Sequence, residues 1–193
     1  MKEILAILSV ALIFTATPAY AHKLILHSDS HTDMNNALKI PDHEISWAIY
    51  ENLGANKAKF DSFDAEKGDS SYASIAIPKM EGLEEYSPTL VLVSPENNKE
   101  ENNNSDSQSN TQKFPYEGNF PSKEFYGPFG QVTYWERQEI STEINADGEY
   151  FIVVLDEKNQ KGKYSLAIGT IEDFSEENIF LILPQSWGKR KCL

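Results

Sequence analysis

The sequence predicts an all-β protein built as a sandwich or a barrel of about eight short strands. Runs rich in Val, Ile, Thr, Tyr and Phe recur at regular spacing, and turns containing Gly, Asn, Asp or Pro separate them. Little helical periodicity lies between these runs. Short strands that follow one another without intervening helices are typical of antiparallel β-folds.

Alternation and turn residues place the individual strands. In order, the predicted strands are residues 45–50, 58–63, 72–77, 89–93, 132–144, 150–155 and 164–168. Ala73, Ile75 and Ile77 share one face, which is the pattern of a half-buried strand. Residues 89–93 are apolar on both faces and predict a central strand. The strand at 132–144 is expected to kink near Glu136 and Arg137.

Residues 1–21 have the pattern of a secretory signal peptide. Lys2 supplies a short charged region, residues 4–14 carry no charge, and Ala19-Tyr20-Ala21 offers small residues at a cleavage site. The apolar run is shorter than the roughly 20 residues that cross a bilayer. We therefore expect a secreted or extracytoplasmic protein without a transmembrane span in the mature chain. An uncleaved N-terminal anchor is the alternative.

Charge and cysteine content exclude some partners and one kind of cross-link. The net charge of −13 argues against nucleic acid, because a phosphate backbone requires a basic surface. Cationic surfaces remain as possible partners. Cys192 is the only cysteine, so no intramolecular disulfide can form.

The chain divides into an arm, one domain and a tail. Residues 22–43 form a polar, histidine-rich arm that we expect to be extended, residues 44–173 form the β-domain, and residues 174–193 form a C-terminal tail. Residues 96–112 are nearly all Asn, Glu, Ser, Asp and Gln, which predicts a disordered insertion inside the domain. Asn103 begins an Asn-Asn-Ser glycosylation sequon in this insertion.

Three stretches of the chain together resemble a known family. They are "FDSFDAEKGDSSYASIAIP", "SPTLVLVSP" and "ADGEYFIVVLDEKNQKGKYSLAIG". This pattern resembles the bacterial and archaeal pre-peptidase C-terminal domain, and the likeness extends from Asn35 to Ile171. It implies a jelly-roll-like antiparallel β-sandwich of about eight strands. It also implies an accessory module of secreted or surface proteins that contacts carbohydrate or matrix and in some cases binds calcium. No peptidase domain accompanies it in this sequence, and the acidic insertion is a further departure.

The arm contains all four histidines, which makes it a candidate copper site. Cleavage after Ala21 would make His22 the N-terminal residue, so that its α-amino group and its imidazole could together chelate Cu(II). A third nitrogen could come from His27, His31 or His43. The alternative is a solvated polar arm that binds no metal.

Acidic turns provide a second candidate metal site, for calcium. Asp61, Asp64 and Asp69 crowd one strand and its turn, and a further acidic turn lies at residues 156–159. Calcium binds six to eight oxygen ligands, which two such loops could supply. Ordinary solvated turns are the alternative explanation in a protein this acidic.

The sequence offers no recognisable catalytic motif, so we expect a non-enzymatic protein. No serine lies in a nucleophile elbow, and every histidine lies in the arm. Trp47, Tyr126, Tyr134 and Trp135 could form an aromatic platform for sugar rings, although their pattern favours a core role for both tryptophans. The leading hypothesis is an exported binding or structural module that contacts an extracellular or cell-surface glycan or protein. The alternative is an extracytoplasmic protein that binds copper or calcium.

Overall fold

A computed structural model describes residues 22–95, 110–127 and 131–173, and their strands form two sheets. The strands of sheet A are, in spatial order, β1 (Lys23–Leu24), β3 (Trp47–Leu53), β11 (Gly162–Ile168), β5 (Ser70–Pro78), β9 (Val132–Glu143) and β8 (Glu124–Gly127). Those of sheet B are β2 (Leu38–Lys39), β4 (Ala58–Ala65), β10 (Gly148–Leu155), β6 (Thr89–Val93) and β7 (Thr111–Phe114). A single 3-10 turn at Met34–Asn36 is the only helical element of the described chain.

The strand order is that of a jelly roll. The four strands β3, β11, β5 and β9 in sheet A face β4, β10, β6 and β7 in sheet B, so the chain passes repeatedly from one sheet to the other. All pairings are antiparallel except those of β1 with β3 and β2 with β4. The predicted all-β sandwich is therefore confirmed. The short strands β1, β2, β7 and β8 are additional to the seven strands placed from the sequence and bring the number to eleven.

Alternating side chains from both sheets fill the core. On β5, Ala73, Ile75 and Ile77 are each at most 1% exposed, as their shared face predicts. Residues 90–92 of β6 are all buried, which agrees with the interior position of this strand in sheet B. An extra residue of β9 interrupts its pairing with β5 between Ser74 and Ala76. This β-bulge lies where the sequence predicts a kink.

The arm joins both sheets instead of standing apart from them. Its strand β1 pairs with β3 at one edge of sheet A, and β2 pairs with β4 at the corresponding edge of sheet B. Residues 25–37, here called the strap, therefore cross from one sheet to the other. The Ile25 N–H donates to the carbonyl of Ala48 at 3.1 Å, and the Phe60 N–H donates to the carbonyl of His31 at 3.0 Å. The strap thus closes the side of the sandwich bounded by β3 and β4.

Several sequence predictions concern residues outside the described ranges. They include the signal peptide at residues 1–21, the sequon at Asn103, and the whole tail at residues 174–193 with Cys192. The predicted insertion at 96–112 is described only from residue 110, where Thr111 and Gln112 already belong to β7. Backbone pairing with β6 places these polar residues in a strand. In the described chain, no helix is long and apolar enough to cross a membrane.

The register of β9 can be tested with two neighbouring substitutions. Ile140 is 2% exposed in the core, whereas Ser141 is exposed on the other face. We expect Ile140→Ala to lower the free energy of unfolding by about 2 to 5 kcal/mol, because it leaves a cavity. Ser141→Ala should change it by less than about 0.5 kcal/mol. Urea unfolding of both variants measures the difference, and equal effects would contradict this register.

Candidate functional site

Charged side chains face the interior of the sandwich where β3 and β4 lie under the strap. Glu51 occupies an inward position of β3 between Ile49 and Leu53, and it is 4% exposed. Lys59 and Asp61 occupy successive inward positions of β4 and are 4% and 1% exposed. Since alternate residues of a strand point to the same face, these polar side chains are buried by the same periodicity that buries their apolar neighbours.

Two histidines of the strap meet the carboxylate of Glu51. The Nδ1 atom of His27 lies 3.0 Å from Glu51 Oε1, and the Nε2 atom of His31 lies 3.1 Å from the same oxygen. The two rings are perpendicular, with centroids 4.8 Å apart. The side chains of His27, His31 and Glu51 are 8%, 3% and 4% exposed. We call these three residues the His–Glu cluster.

Lys59 connects this cluster to the strap from the side of sheet B. Its ammonium group lies 3.7 Å from Glu51 Oε2 and forms an ion pair with the carboxylate of Asp29. It also donates to the backbone carbonyl of Asp29 at 3.3 Å. A buried carboxylate is costly unless it is paired, so Lys59 offsets part of the cost of burying Glu51.

Burial and neighbouring charges shift the protonation of two groups near the cluster. Burial raises the pKa of Asp61 to about 7, and the charge of Glu51 acts in the same direction against the opposing effects of His31 and Lys59. Burial acts to lower the pKa of His31, but contact with Glu51 and the charges of Asp61 and Glu51 outweigh it, so the pKa is raised. Burial, reinforced by the nearby Asp61 and Glu51 charges, raises the pKa of Tyr164. The site therefore retains protons that the same groups would lose in water.

The four histidines of the predicted copper site do not converge in the described chain. His27 and His31 lie together, but the Nδ1 atom of His22 is 2.5 Å from the hydroxyl of Ser46. His43 stacks on Phe63 with ring centroids 4.8 Å apart. Copper binding through the N-terminal His22 stays a prediction.

The carboxylates of the predicted calcium site point in different directions. Asp61 faces the core, whereas Asp64 lies on the opposite face of β4, where its carboxylate is 2.8 Å from the ammonium of Lys39. Asp69 accepts the N–H of Glu66 at 2.8 Å within the turn. The described residues do not bring these three carboxylates into one cluster. Calcium binding also stays a prediction.

The aromatic residues divide between the core and one exposed edge. Trp135 and Tyr134 are each 4% exposed, and Trp47 packs against the core while its indole N–H donates to the carbonyl of Asp42 at 2.7 Å. The interpretation of both tryptophans as packing residues agrees with this arrangement. Tyr126 is 57% exposed on β8. A flat platform formed by all four aromatic residues is therefore not present.

Glu51 is the member of the site that the sequence analysis missed. The first strand was predicted at residues 45–50, whereas β3 continues to Leu53. A turn follows it, where the Lys57 N–H donates to the carbonyl of Gly54 at 3.2 Å. The alternation of Ile49, Glu51 and Leu53 could have indicated that the strand continues to residue 53. Extending the strand that far, however, puts a charged residue on its apolar face.

The comparisons with known proteins find similarity in structure only. No protein-family model matches the chain, and no curated protein matches it. Among solved structures, PliG of Salmonella Typhimurium, a periplasmic inhibitor of g-type lysozyme, is 16% identical, with 69% of this chain and 96% of that chain covered and a TM-score of 0.37. PliG of Aeromonas hydrophila is 11% identical, with 77% and 98% covered and a TM-score of 0.42. The pre-peptidase C-terminal domain of Bacillus anthracis collagenase is 16% identical, with 67% and 91% covered and a TM-score of 0.35. The family that the sequence motifs resemble is thus represented among the structures similar to this chain.

Asp61 should make the protein less stable as the pH rises. Between pH 3.8, its ordinary pKa, and pH 7, the folded state holds a proton on Asp61 that the unfolded state has lost. The free energy of unfolding should therefore fall by up to about 1.4 kcal/mol per pH unit through this range. The raised pKa of His31 acts in the same direction above pH 6.5. Urea unfolding at several pH values, in the presence of EDTA, measures the slope.

Two aspartate variants isolate the contribution of Asp61. Asp61→Asn should flatten the slope, because it removes the group that titrates differently in the two states. The matched control is Asp64→Asn, since the Asp64 side chain is 74% exposed on the other face of the same strand. The control should keep the wild-type slope. A slope that Asp61→Asn leaves unchanged would contradict the prediction.

Proposed function

We propose that this chain is an exported, non-catalytic binding module that contacts a protein partner through the outer edge of β8. The observation that carries the proposal is a pair of exposed aromatic residues on an edge strand. Phe125 and Tyr126 are 45% and 57% exposed, and β8 is the last strand of sheet A. In residues 22–95, 110–127 and 131–173, no other strand pairs with its outer side.

The edge favours an extended peptide over a sugar ring. Phe125 and Tyr126 are consecutive, so they point to opposite faces of the sheet and cannot form one flat platform. A strand added to the free edge would form backbone hydrogen bonds and place side chains beside both rings. Large aromatic side chains contribute strongly to protein interfaces, because they bury much apolar area with few rotatable bonds.

Arg137 holds the loop before β8 in place. Its guanidinium group donates to the backbone carbonyls of Tyr86 at 3.1 Å and Glu84 at 2.9 Å. It also lies over the rings of Tyr116 and Phe120, at 5.3 Å and 5.0 Å from their centroids. The approach to β8 is therefore ordered before a partner arrives, which lowers the entropic cost of binding.

Compartment and charge support the remaining parts of the proposal. Residues 1–21 have the pattern of an export signal, which supports a partner outside the cytoplasm. The net charge of −13 favours a basic partner through long-range attraction. The His–Glu cluster lies under the strap with each side chain at most 8% exposed, so its histidines do not open onto a substrate cleft.

A photo-crosslinking experiment tests the surface. A photoreactive phenylalanine analogue replaces Tyr126 in one preparation and Met34 in the other, because Met34 is 47% exposed in the strap, at the side of the sandwich opposite β8. Both proteins are produced with export to the extracytoplasmic compartment and irradiated there. We expect a discrete protein adduct from position 126 and none from position 34. Adducts from both positions, or from neither, would contradict the proposed surface.

The partner found in the adduct is then purified on its own, and its affinity for this chain is measured by calorimetry. The double variant Phe125→Ala, Tyr126→Ala should weaken binding by about tenfold or more, since exposed aromatic anchors contribute more than about 1 kcal/mol each. The control Met34→Ala should bind like the wild type, and thermal melting verifies that each variant is folded. Unchanged affinity of the double variant would contradict binding through the edge of β8. Binding to a glycan array that depends on Tyr126 would show that the ligand is a sugar and not a protein.

A further inference from the structure

We propose that the His–Glu cluster is a zinc site formed by His27, His31 and Glu51. The three side chains each offer one ligand atom, and these atoms all lie within 4.8 Å of one another. Two donors come from the strap and the third comes from β3. Zn²⁺ would therefore join the strap to sheet A.

The distances between the donor atoms suit a single small ion. The two histidine nitrogens lie 3.0 Å and 3.1 Å from Glu51 Oε1. Ligands at about 2.0 to 2.1 Å from a tetrahedral Zn²⁺ are about 3.3 Å from each other. The two nitrogens therefore need to move away from Glu51 Oε1 by only a few tenths of an ångström, and the third separation, between the nitrogens themselves, is at most 4.8 Å.

The donor set selects the class of metal. Two imidazoles and one carboxylate form a mixed nitrogen and oxygen set, which suits zinc. Calcium and magnesium prefer oxygen ligands alone, and Cu(I) prefers sulfur. Three protein ligands leave the fourth position of a tetrahedral ion for water.

Unused hydrogen-bonding capacity within the cluster is a second, independent observation. The His31 Nε2 and Glu51 Oε1 atoms face each other at 3.1 Å, yet both are buried and neither has a hydrogen-bond partner of normal geometry. Buried polar atoms without a partner are rare, because leaving them unsatisfied costs free energy. Zn²⁺ would bind the lone pairs of both atoms at once.

Neighbouring groups already orient the proposed ligands. His31 Nδ1 lies 3.2 Å from the carbonyl oxygen of Ser28, which can only accept, so in the neutral ring Nδ1 carries the hydrogen and Nε2 keeps its lone pair. Lys59 lies 3.7 Å from Glu51 Oε2, the oxygen that the histidines do not contact. Such outer contacts fix the direction of metal ligands. His27 Nδ1 lies 3.1 Å from the Ser28 carbonyl, so binding through this atom requires the hydrogen of the neutral ring to move to Nε2.

The other two histidines provide matched controls. His22 and His43 belong to the same arm but contact Ser46 and Phe63 instead of Glu51. A site formed by the cluster does not require either of them. A copper site that begins at the N-terminus would depend on His22 and not on Glu51.

Calorimetric titration of Zn²⁺ into untagged, EDTA-treated protein tests the proposal. We expect one ion per chain and a higher melting temperature when zinc is in excess. The measured heat should depend on the ionisation enthalpy of the buffer, because ligands that carry a proton must release it to bind the metal. His27→Gln, His31→Gln and Glu51→Gln should each weaken binding by at least about tenfold. His22→Gln and His43→Gln should remain within about twofold of the wild type. Absence of binding to the wild type, or equal losses in the control variants, would overturn the site.

X-ray absorption of the zinc-loaded wild type provides a measurement that does not depend on how the variants fold. Two imidazole ligands and additional oxygen ligands, at about 2.0 to 2.2 Å, are expected. A shell made of oxygen alone would reject the cluster and indicate binding to surface carboxylates. Titration with Cu(II) in the same variants distinguishes the alternative, since loss of binding only in His22→Gln would assign the metal to the N-terminus.

Discussion

The burial of charge between β3 and β4 is the constraint on which this side of the molecule depends. Glu51 and Lys59 face inward at an edge that the two sheets alone leave open. Unpaired charges in such a position would cost several kcal/mol each, so they require partners and cover. The strap supplies both, because it brings His27 and His31 to Glu51 and Asp29 to Lys59. The polar cluster and the path of the arm therefore explain each other.

Hydrophobic periodicity predicted the strands in which each face has the same environment, core or solvent, along its whole length. On β5 the alternating apolar residues face one core, and on β6 both faces are covered, so local sequence reflects burial directly. Glu51 could not be assigned in the same way. Whether an inward charge is tolerated depends on the histidines and the lysine that reach it from distant parts of the chain. The strand predicted at residues 45–50 therefore stops before Glu51, although β3 continues past it.

The arm shows that local sequence also could not predict which residues form the candidate site. The sequence predicted nitrogen ligands among its histidines, but it did not identify which of them would meet. In an extended chain, residues four positions apart are separated by about 13 Å. The rings of His27 and His31 are 4.8 Å apart, because the chain turns between them and the Thr32 N–H donates to the carbonyl of Ser30 at 2.9 Å. That turn follows from the pairing of β1 and β2 with different sheets, which local sequence does not encode.

The two proposed sites lie at opposite edges of sheet A. The cluster belongs to β3, and the aromatic edge belongs to β8, with β11, β5 and β9 between them. Four strand spacings correspond to about 19 Å, which is more than twice the screening length of about 8 Å at physiological ionic strength. A charge bound at the cluster would therefore have little direct effect on a partner at β8. Zinc binding at the His–Glu cluster and partner binding at β8 are therefore expected to be independent. Zinc should stabilise the sandwich rather than regulate partner binding.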